Sequence, residues 1–336
     1  MEITVIVPTR NRAKYLDVFL NSVKKQTIDE TRYELIVVDN GSQDNTKAIC
    51  DKWSKIIKNF RYIYNDNPGL HVGRNIGYQE SNSELLVYAD DDIIAFPTWL
   101  ESIVSAFENK QIVLVGGNDI PMYEGTTPEW LEELWVEQNE TKMLIDFSCI
   151  LLGDKKKEIS PYFVLGCNFA VRKWILDETR GFHPDGMPDN LLQYRGDGEA
   201  YIAQYILENQ LTTYFVPEAS VYHMVTQQRM CLDYIKKIAY RNGISHAYIY
   251  LRNGRYKQLK REIFKRKMRF LFLGKRWKNI IALKEETFFK GMKFLANEYH
   301  KRESIKEWVM RMDYLGDNAI VSEGGKNNES TISKNL

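Results

Sequence analysis

Leu85-Leu86-Val87-Tyr88-Ala89-Asp90-Asp91-Asp92 is an apolar run that ends in three consecutive acids. Residues 85–89 read as a strand buried on both faces, because no polar residue interrupts them. Adjacent carboxylates repel one another and resist desolvation, so a strand interior is a poor place for them. Beyond the end of a buried parallel strand they make sense where positive charge arrives, and a divalent cation holding a diphosphate supplies it. A solvated loop or a helix N-cap accounts for the same triplet without a ligand. Its position after several βα units favours the metal.

Those units precede it. Ile3–Val7 reads as a second fully buried strand, closed by Pro8. Tyr15, Leu16, Phe19, Leu20 and Val23 fall at helical spacing within Lys14–Gln26. Glu34–Asp39 is the next strand, followed by the turn Asn40-Gly41-Ser42 and a helix from about Asp44 to Ile57. Arg61–Asn65 is a third strand, and Asn67–Gly77 is a glycine-spaced entry into another helix. Alternating strands and helices predict an α/β fold with a mostly parallel sheet flanked by helices. Ligands on such sheets bind beyond the carboxyl ends of the strands, where Asp39, Gly69 and Asp90–Asp92 then lie.

After about residue 115 the pattern loosens. Glu129–Gln138 reads as a helix with Trp130, Leu131, Leu134 and Trp135 on its apolar face. Phe163–Val171 reads as a strand, Asp197–Glu208 as a helix and Thr213–Val216 as a strand. From Leu232 the chain is helical and turns basic: between Arg255 and Lys284 only Glu262 opposes the Lys and Arg residues, and aromatic and aliphatic residues interleave. The tail from Ser322 is polar and reads as disordered.

Bulk properties exclude several classes. The net charge of +1 gives no sign of nucleic-acid binding. The four cysteines, Cys50, Cys149, Cys167 and Cys231, form no C-x-x-C pair, so neither a zinc site nor a disulfide framework is indicated. Scattered thiols suit the cytoplasm. The N-terminus reads as a strand rather than a signal peptide, and no apolar run reaches the ~20 residues needed to span a bilayer. A soluble or peripheral protein is expected.

Single residues carry narrower readings. Asp39 can accept hydrogen bonds from a ribose or a base edge, or simply cap the Asp-Asn-Gly turn. Gly69, Gly73 and Gly77 match neither G-x-x-x-x-G-K-[ST] nor G-x-G-x-x-G, which disfavours a kinase or a dinucleotide enzyme. Arg74 and Asn75 at that helix start can meet phosphate or base atoms, or the glycines can serve helix–strand packing alone. Asp197 and Glu199, on the glycine-flexible turn Arg195–Glu199, suit a general base; capping of the following helix explains them without catalysis. His223 lacks an H-x-x-x-H partner, which argues against zinc, and gains interest only if the fold brings it to the triplet.

Taken in order, these pieces resemble a family 2 glycosyltransferase of the GT-A fold. Val5–Arg12 is similar to the family's opening strand and nucleotide loop, and Val37–Ser42 to its second-strand acid. Gly69–Gly77 with Arg74-Asn75 is similar to its third motif. Asp90-Asp91-Asp92 followed by Pro97 resembles its metal motif. Gly166–Ala170 and Gly181-Phe182 resemble its acceptor side. The resemblance covers roughly residues 1–225. It implies a catalytic domain over 1–228, a basic helical region over 229–321 and a tail over 322–336.

The resemblance further implies inverting transfer of a sugar from a nucleotide-diphosphate sugar to a glycan or lipid-linked hydroxyl, as in cell-envelope polysaccharide synthesis. Pro8, Thr9, Asn11, Asp39, Gly69, Arg74 and Asn75 would line the nucleotide site, with Asp90 and Asp91 near ribose and donor sugar. Asp92 would ligate Mg²⁺ or Mn²⁺, and His223 matches a histidine that some relatives use as a further ligand. The family usually carries Glu-Asp where this chain has Asp197-Gly198-Glu199. Counting to the following strand puts Glu199 at the catalytic position, with Asp197 as its rival. A lid around Met224–Met230 and contact of 255–284 with the anionic inner face of the cell membrane complete the expectation. A nucleotidyltransferase or a non-catalytic nucleotide-sugar or glycan binder is the alternative. The first would usually place glycine after the opening strand, where Pro8-Thr9-Arg10-Asn11-Arg12 stands. Base, sugar and acceptor stay open at this level.

Overall fold

A computed structural model describes residues 1–273 and 279–315, and the side chains of 269–273 are excluded. The expected disordered tail, and residues 274–278 of the basic segment, lie outside the described residues.

The chain begins β1 (Ile3–Thr9), α1 (Ala13–Lys24), β2 (Tyr33–Asp39), α2 (Thr46–Trp53), β3 (Phe60–Tyr64), α3 (Leu70–Glu80) and β4 (Leu85–Ala89). β1 lies between β2 and β4, parallel to both. Its ladder with β4 ends at Ile6↔Tyr88. The strand therefore continues through Pro8 to Thr9 at no cost, since the missing N–H of Pro8 faces no partner on that side. α3 packs against β1 at Gly77, where a Cβ would fall 2.2 Å from Ile6 Cγ2.

Next come β5 (Ile93–Ala95), α4 (Trp99–Ala106), β6 (Ile112–Gly116) and β7 (Asp119–Tyr123). The expected helix over 129–138 is instead a 3₁₀ helix, Glu129–Leu134, followed by β8 (Val136–Gln138) and β9 (Thr141–Leu144). Leu131 and Leu134 are buried three residues apart, a spacing that a 3₁₀ turn satisfies as well as an α-helix does. Asn139 takes the left-handed conformation (φ 54°) that closes the β8–β9 hairpin.

β10 (Cys149–Leu151), β11 (Lys157–Glu158), β12 (Asn168–Arg172), α5 (Lys173–Thr179), α6 (Ala200–Glu208), β13 (Thr212–Phe215) and β14 (Val221–Val225) follow. The main sheet has the order β11-β13-β6-β12-β4-β1-β2-β3. β12 runs antiparallel to β4, with Asn168 opposite Ala89, so its beginning meets the acid-bearing edge. The strand starts at Asn168 rather than Phe163, because Pro161–Phe163 forms a 3₁₀ turn. α6 starts at Ala200, leaving Asp197 and Glu199 in the turn before it.

A second sheet, β5-β14-β7-β10-β9-β8, was not legible in the sequence. Its β14–β5 pairing sets His223 opposite Ile93, next to Asp92.

The C-terminal helices are α7 (Leu232–Arg252), α8 (Tyr256–Leu273), α9 (Ile280–Lys301) and α10 (Glu303–Val309). α7 and α9 touch backbone to backbone. A Cβ on Gly291 would lie 2.0 Å from Tyr240 O, and one on Gly243 equally close to Phe288 O. One apolar cluster joins these helices, through Tyr248, Leu295 and Trp308, to Met187 and Tyr194 of the preceding region. No helix among the described residues is long and apolar enough to cross a membrane.

Candidate active site

The carboxyl edge of the main sheet borders a cavity of about 210 Å³. Pro8, Thr9, Gly69, Asp90 and Asp91 line it, together with Arg10 and Arg12, two cations the sequence reading did not single out as site residues. Their position after an edge-facing strand was the available signal.

Asp39 is 1% exposed and already engaged. It accepts hydrogen bonds from the Ser42 N–H and from the Tyr62 hydroxyl, both at 2.8 Å. Thr9 donates its hydroxyl to Asp91 Oδ2 at 2.6 Å. Asn11, left-handed at φ 54°, accepts from the Gln43 N–H at 2.7 Å and so ties the β1 loop to the β2 loop. Asn75 is not brought into the cavity. Its amide clamps Phe182, accepting the N–H at 2.7 Å and donating to the carbonyl at 3.0 Å.

Asp90, Asp92 and His223 offer ligand atoms that all lie within 4.8 Å of one another. His223 Nδ1 lies 3.1 Å from Ser148 O. Donation there fixes the tautomer and turns Nε2 toward Asp92 Oδ1, 3.3 Å away. That Oδ1 is buried and, the His223 ring apart, has no donor. Two carboxylates and an imidazole nitrogen gathered in a buried site are a donor set that fits Mg²⁺ or Mn²⁺. Arg12 reaches Asp91 Oδ1 at 3.1 Å and Asp92 Oδ2 at 2.5 Å, and Arg229 approaches the same Oδ2 at 3.5 Å. Arg229 follows β14, in the segment read from the sequence as a lid; Met224 and Val225 of that segment belong to the strand.

Electrostatics separate the three acids. Burial pushes Asp91 up to about 7 against the pull of Arg12. Burial also raises Asp90, with Arg74 opposing it. For Asp92 burial works upward too, but His223, Arg12 and Arg229 outweigh it and hold the carboxyl well below its usual range. Asp92 is thus the acid most firmly kept as an anion.

Across the cleft, Arg74 is 3% exposed and joins the two halves of the site. It donates to Glu199 Oε2 at 3.0 Å and Gly166 O at 3.1 Å, and lies 3.7 Å from Asp90 Oδ1. Glu199 Oε1 accepts the Gly166 N–H at 3.2 Å, and 28% of the side chain remains open. Asp197 points elsewhere. Its Oδ1 lies 2.7 Å from His183 Nδ1, and its side chain is only 5% exposed.

A family model described as glycosyl transferase family 2 matches residues 4–179, more than half of the 336 residues. The chain belongs to that family. Within it, glycosyltransferase AglE of Haloferax volcanii is 38% identical over 117 residues, which cover 34% of this chain and 38% of AglE. The poly(ribitol-phosphate) β-N-acetylglucosaminyltransferase TarS of Staphylococcus aureus is 32% identical over 139 residues, 38% of this chain and 24% of TarS. The chain therefore spans well under half the length of these two curated relatives. In three dimensions it is similar to the mannosyltransferase PcManGT from Pyrobaculum calidifontis, solved with GDP-Man and Mn²⁺. The TM-score is 0.53 at 15% identity, over 94% of this chain and 84% of that one. Family 2 membership and the GT-A fold therefore agree with the α/β sheet and its acid-bearing edge.

Proposed function

We propose that this family 2 glycosyltransferase moves a sugar from a nucleoside-diphosphate sugar to a hydroxyl acceptor, with inversion and with a divalent metal. One observation carries the reading: the Asp90–Asp92–His223 cluster adjoins the cavity through Asp90, which lines it, with Glu199 across Arg74 from it. PcManGT, of the same fold, is solved with GDP-Man and Mn²⁺, which supports a nucleotide sugar and a divalent ion.

Asp92 and His223, with Asp90 beside them, would hold Mg²⁺ or Mn²⁺. When bound, that ion neutralises charge on the diphosphate leaving group. Arg10 and Arg12 line the cavity and add positive charge to the same diphosphate. Asp39, Thr9 and Pro8 border the nucleoside. Glu199 takes the proton of the acceptor hydroxyl as its oxygen bonds to the anomeric carbon; the bond to the diphosphate oxygen breaks on the opposite face and its electron pair leaves with the nucleotide. Displacement in one step inverts the anomeric centre. Of the two acids on the turn, the exposure of Glu199 toward Arg74 and Asp90 supports it as the base, since Asp197 is enclosed with His183.

The name of TarS, a transferase onto a phosphate polymer, supports an acceptor in glycoconjugate or envelope synthesis. The exposed side of α8, with Lys257, Lys260, Arg261, Lys265 and Lys267 around a 62%-exposed Phe264, supports peripheral contact with anionic lipid. Purified protein incubated with UDP-, GDP- and dTDP-sugars, with Mn²⁺ or with EDTA, tests the core of the reading. The expected result is slow metal-dependent release of one nucleoside diphosphate that Asp92→Ala abolishes. Failure of every donor to bind or react would overturn it.

A further inference from the structure

The turn that carries both candidate bases has little of its own to hold it. Arg195–Glu199 lies between a 3₁₀ helix ending at Tyr194 and α6, contains two glycines, and bends through Gly198 at φ +56°. Such a turn is intrinsically mobile. Neighbouring elements fix it here, and several of them come from the C-terminal helices.

Asp197 Oδ1 is held by His183 Nδ1 at 2.7 Å. Burial keeps the imidazole neutral near pH 7, so Nδ1–H is the donor. The His183 ring stacks on Tyr201 (centroids 3.7 Å apart, planes 12° from parallel) and meets the edges of Tyr248 and Tyr314 at 5.9 and 5.4 Å. Tyr248, on α7, and Tyr314, beyond α10, share a hydrogen bond between hydroxyls at 2.8 Å. Gly196 sits under Tyr248, where a Cβ would lie 3.1 Å from Cζ, and Arg195 Nε donates to Ser245 Oγ of α7 at 3.0 Å. Asn75 clamps Phe182, the neighbour of His183, so α3 also supports the same imidazole.

We propose that His183, backed by Tyr248 and Tyr314, is a positioning residue that holds the Asp197–Glu199 turn in register with the donor cleft. The C-terminal helices are then part of the catalytic apparatus of the enzyme, through a contact distinct from any membrane surface. The inference rests on the transferase reading with a base on this turn. The hydrogen bond and ring contacts of His183 run to Asp197, Tyr201, Tyr248 and Tyr314 and not to Asp39, Thr9 or the Asp90–Asp92 triplet, so its loss impairs turnover and spares donor binding.

Two substitutions separate positioning from packing. His183→Phe keeps a ring on Tyr201 and deletes the donor to Asp197; His183→Asn keeps an N–H donor and deletes the ring. Positioning predicts that His183→Phe lowers kcat at least tenfold, with affinity for UDP or GDP plus Mn²⁺ within twofold, whereas His183→Asn, which keeps the donor and loses only the ring's backing, loses less kcat than His183→Phe. It also predicts faster amide hydrogen exchange over 195–200 in His183→Phe. Wild-type turnover and exchange in His183→Phe, or an equal fall of kcat and nucleotide affinity in both variants, overturns it. Should His183→Phe not fold, Tyr314→Phe removes one hydroxyl and must likewise speed exchange over 195–200. A wild-type protein that turns over no donor would sink the transferase reading, and the exchange comparison would still decide the clamp.

Discussion

Arg74 Nη1 lies 3.0 Å from Glu199 Oε2 while its Nη2 lies 3.7 Å from Asp90 Oδ1, so one buried guanidinium ties the donor edge to the far side of the cleft. Burial works against its charge, and the carboxylates of Glu199, Asp90 and Asp185 outweigh that effect and raise its pKa. Arg74→Met should remove the link and leave Glu199 and Asp90 uncompensated. Breaking such a pair costs about 3 kcal/mol when both partners are buried, and less here because both carboxylates are partly open. A lowered urea midpoint together with a kcat loss above tenfold is expected. Unchanged turnover would remove Arg74 from the site.

Glu199→Gln preserves size and removes the proton acceptor. Its kcat should fall by about 10²–10⁴-fold with little change in donor KM, the range a general base supplies. Asp197→Asn should lose less, because Asp197 is occupied by His183. Steady-state kinetics of the two variants decide between the acids, and the reverse ranking would assign the base to Asp197.

Metal dependence follows from the donor set. Mn²⁺ should raise the melting temperature of the wild type in proportion to ln(1 + [Mn²⁺]/Kd), and neither Asp92→Ala nor His223→Ala should show that shift. Differential scanning fluorimetry measures it without any turnover. An equal Mn²⁺ shift in all three proteins would remove the cluster as the metal seat.

Asp119, 1% exposed beneath the site, is pushed up to about 8 by burial. A carboxyl whose folded pKa is raised binds its proton more tightly when folded. Its contribution is complete below the unfolded value near 4 and is lost as pH rises through about 8. Asp119→Asn, a neutral isostere, should therefore gain stability relative to the wild type as pH rises from 5 to 9, with most of the gain complete by pH 8. Urea unfolding at the two pH values reads the difference, and a constant offset would refute the buried-acid account.

Gly291→Ala would drive a Cβ to within 2.0 Å of Tyr240 O, a backbone atom that cannot rotate away. The α7–α9 contact should open at a cost of about 1–3 kcal/mol. If the C-terminal helices support the catalytic turn, kcat should fall with stability while nucleotide affinity holds. Calorimetric unfolding alongside nucleotide titration separates these effects.

Much of the nucleotide half was legible because strands buried on both faces read as near-continuous apolar runs: Ile3–Val7, broken only by Thr4, Leu35–Val38 and Leu85–Ala89 stand out unaided. The second sheet was not, since β5, β8 and β10 are three residues long and carry too little periodicity. Leu131 and Leu134 fit an α-helical and a 3₁₀ spacing equally, so the sequence did not separate the two. Arg229, Tyr62 and His183 carried no local signal. Each matters through a partner remote in sequence: Asp92, Asp39 and Asp197 respectively.

By itself the sequence determined that carboxylates gather at the carboxyl edge of a parallel sheet, because strand–helix alternation makes neighbouring strands parallel and the acids directly follow the apolar runs. The tertiary structure alone decided which groups surround them. Antiparallel β14–β5 pairing delivers His223 to Asp92, antiparallel β12 delivers Gly166 to Arg74 and Glu199, and packing of α7 encloses Asp197 with His183. Those are contacts between distant segments, and their geometry is set by the burial of whole faces rather than by any residue's neighbours in the chain.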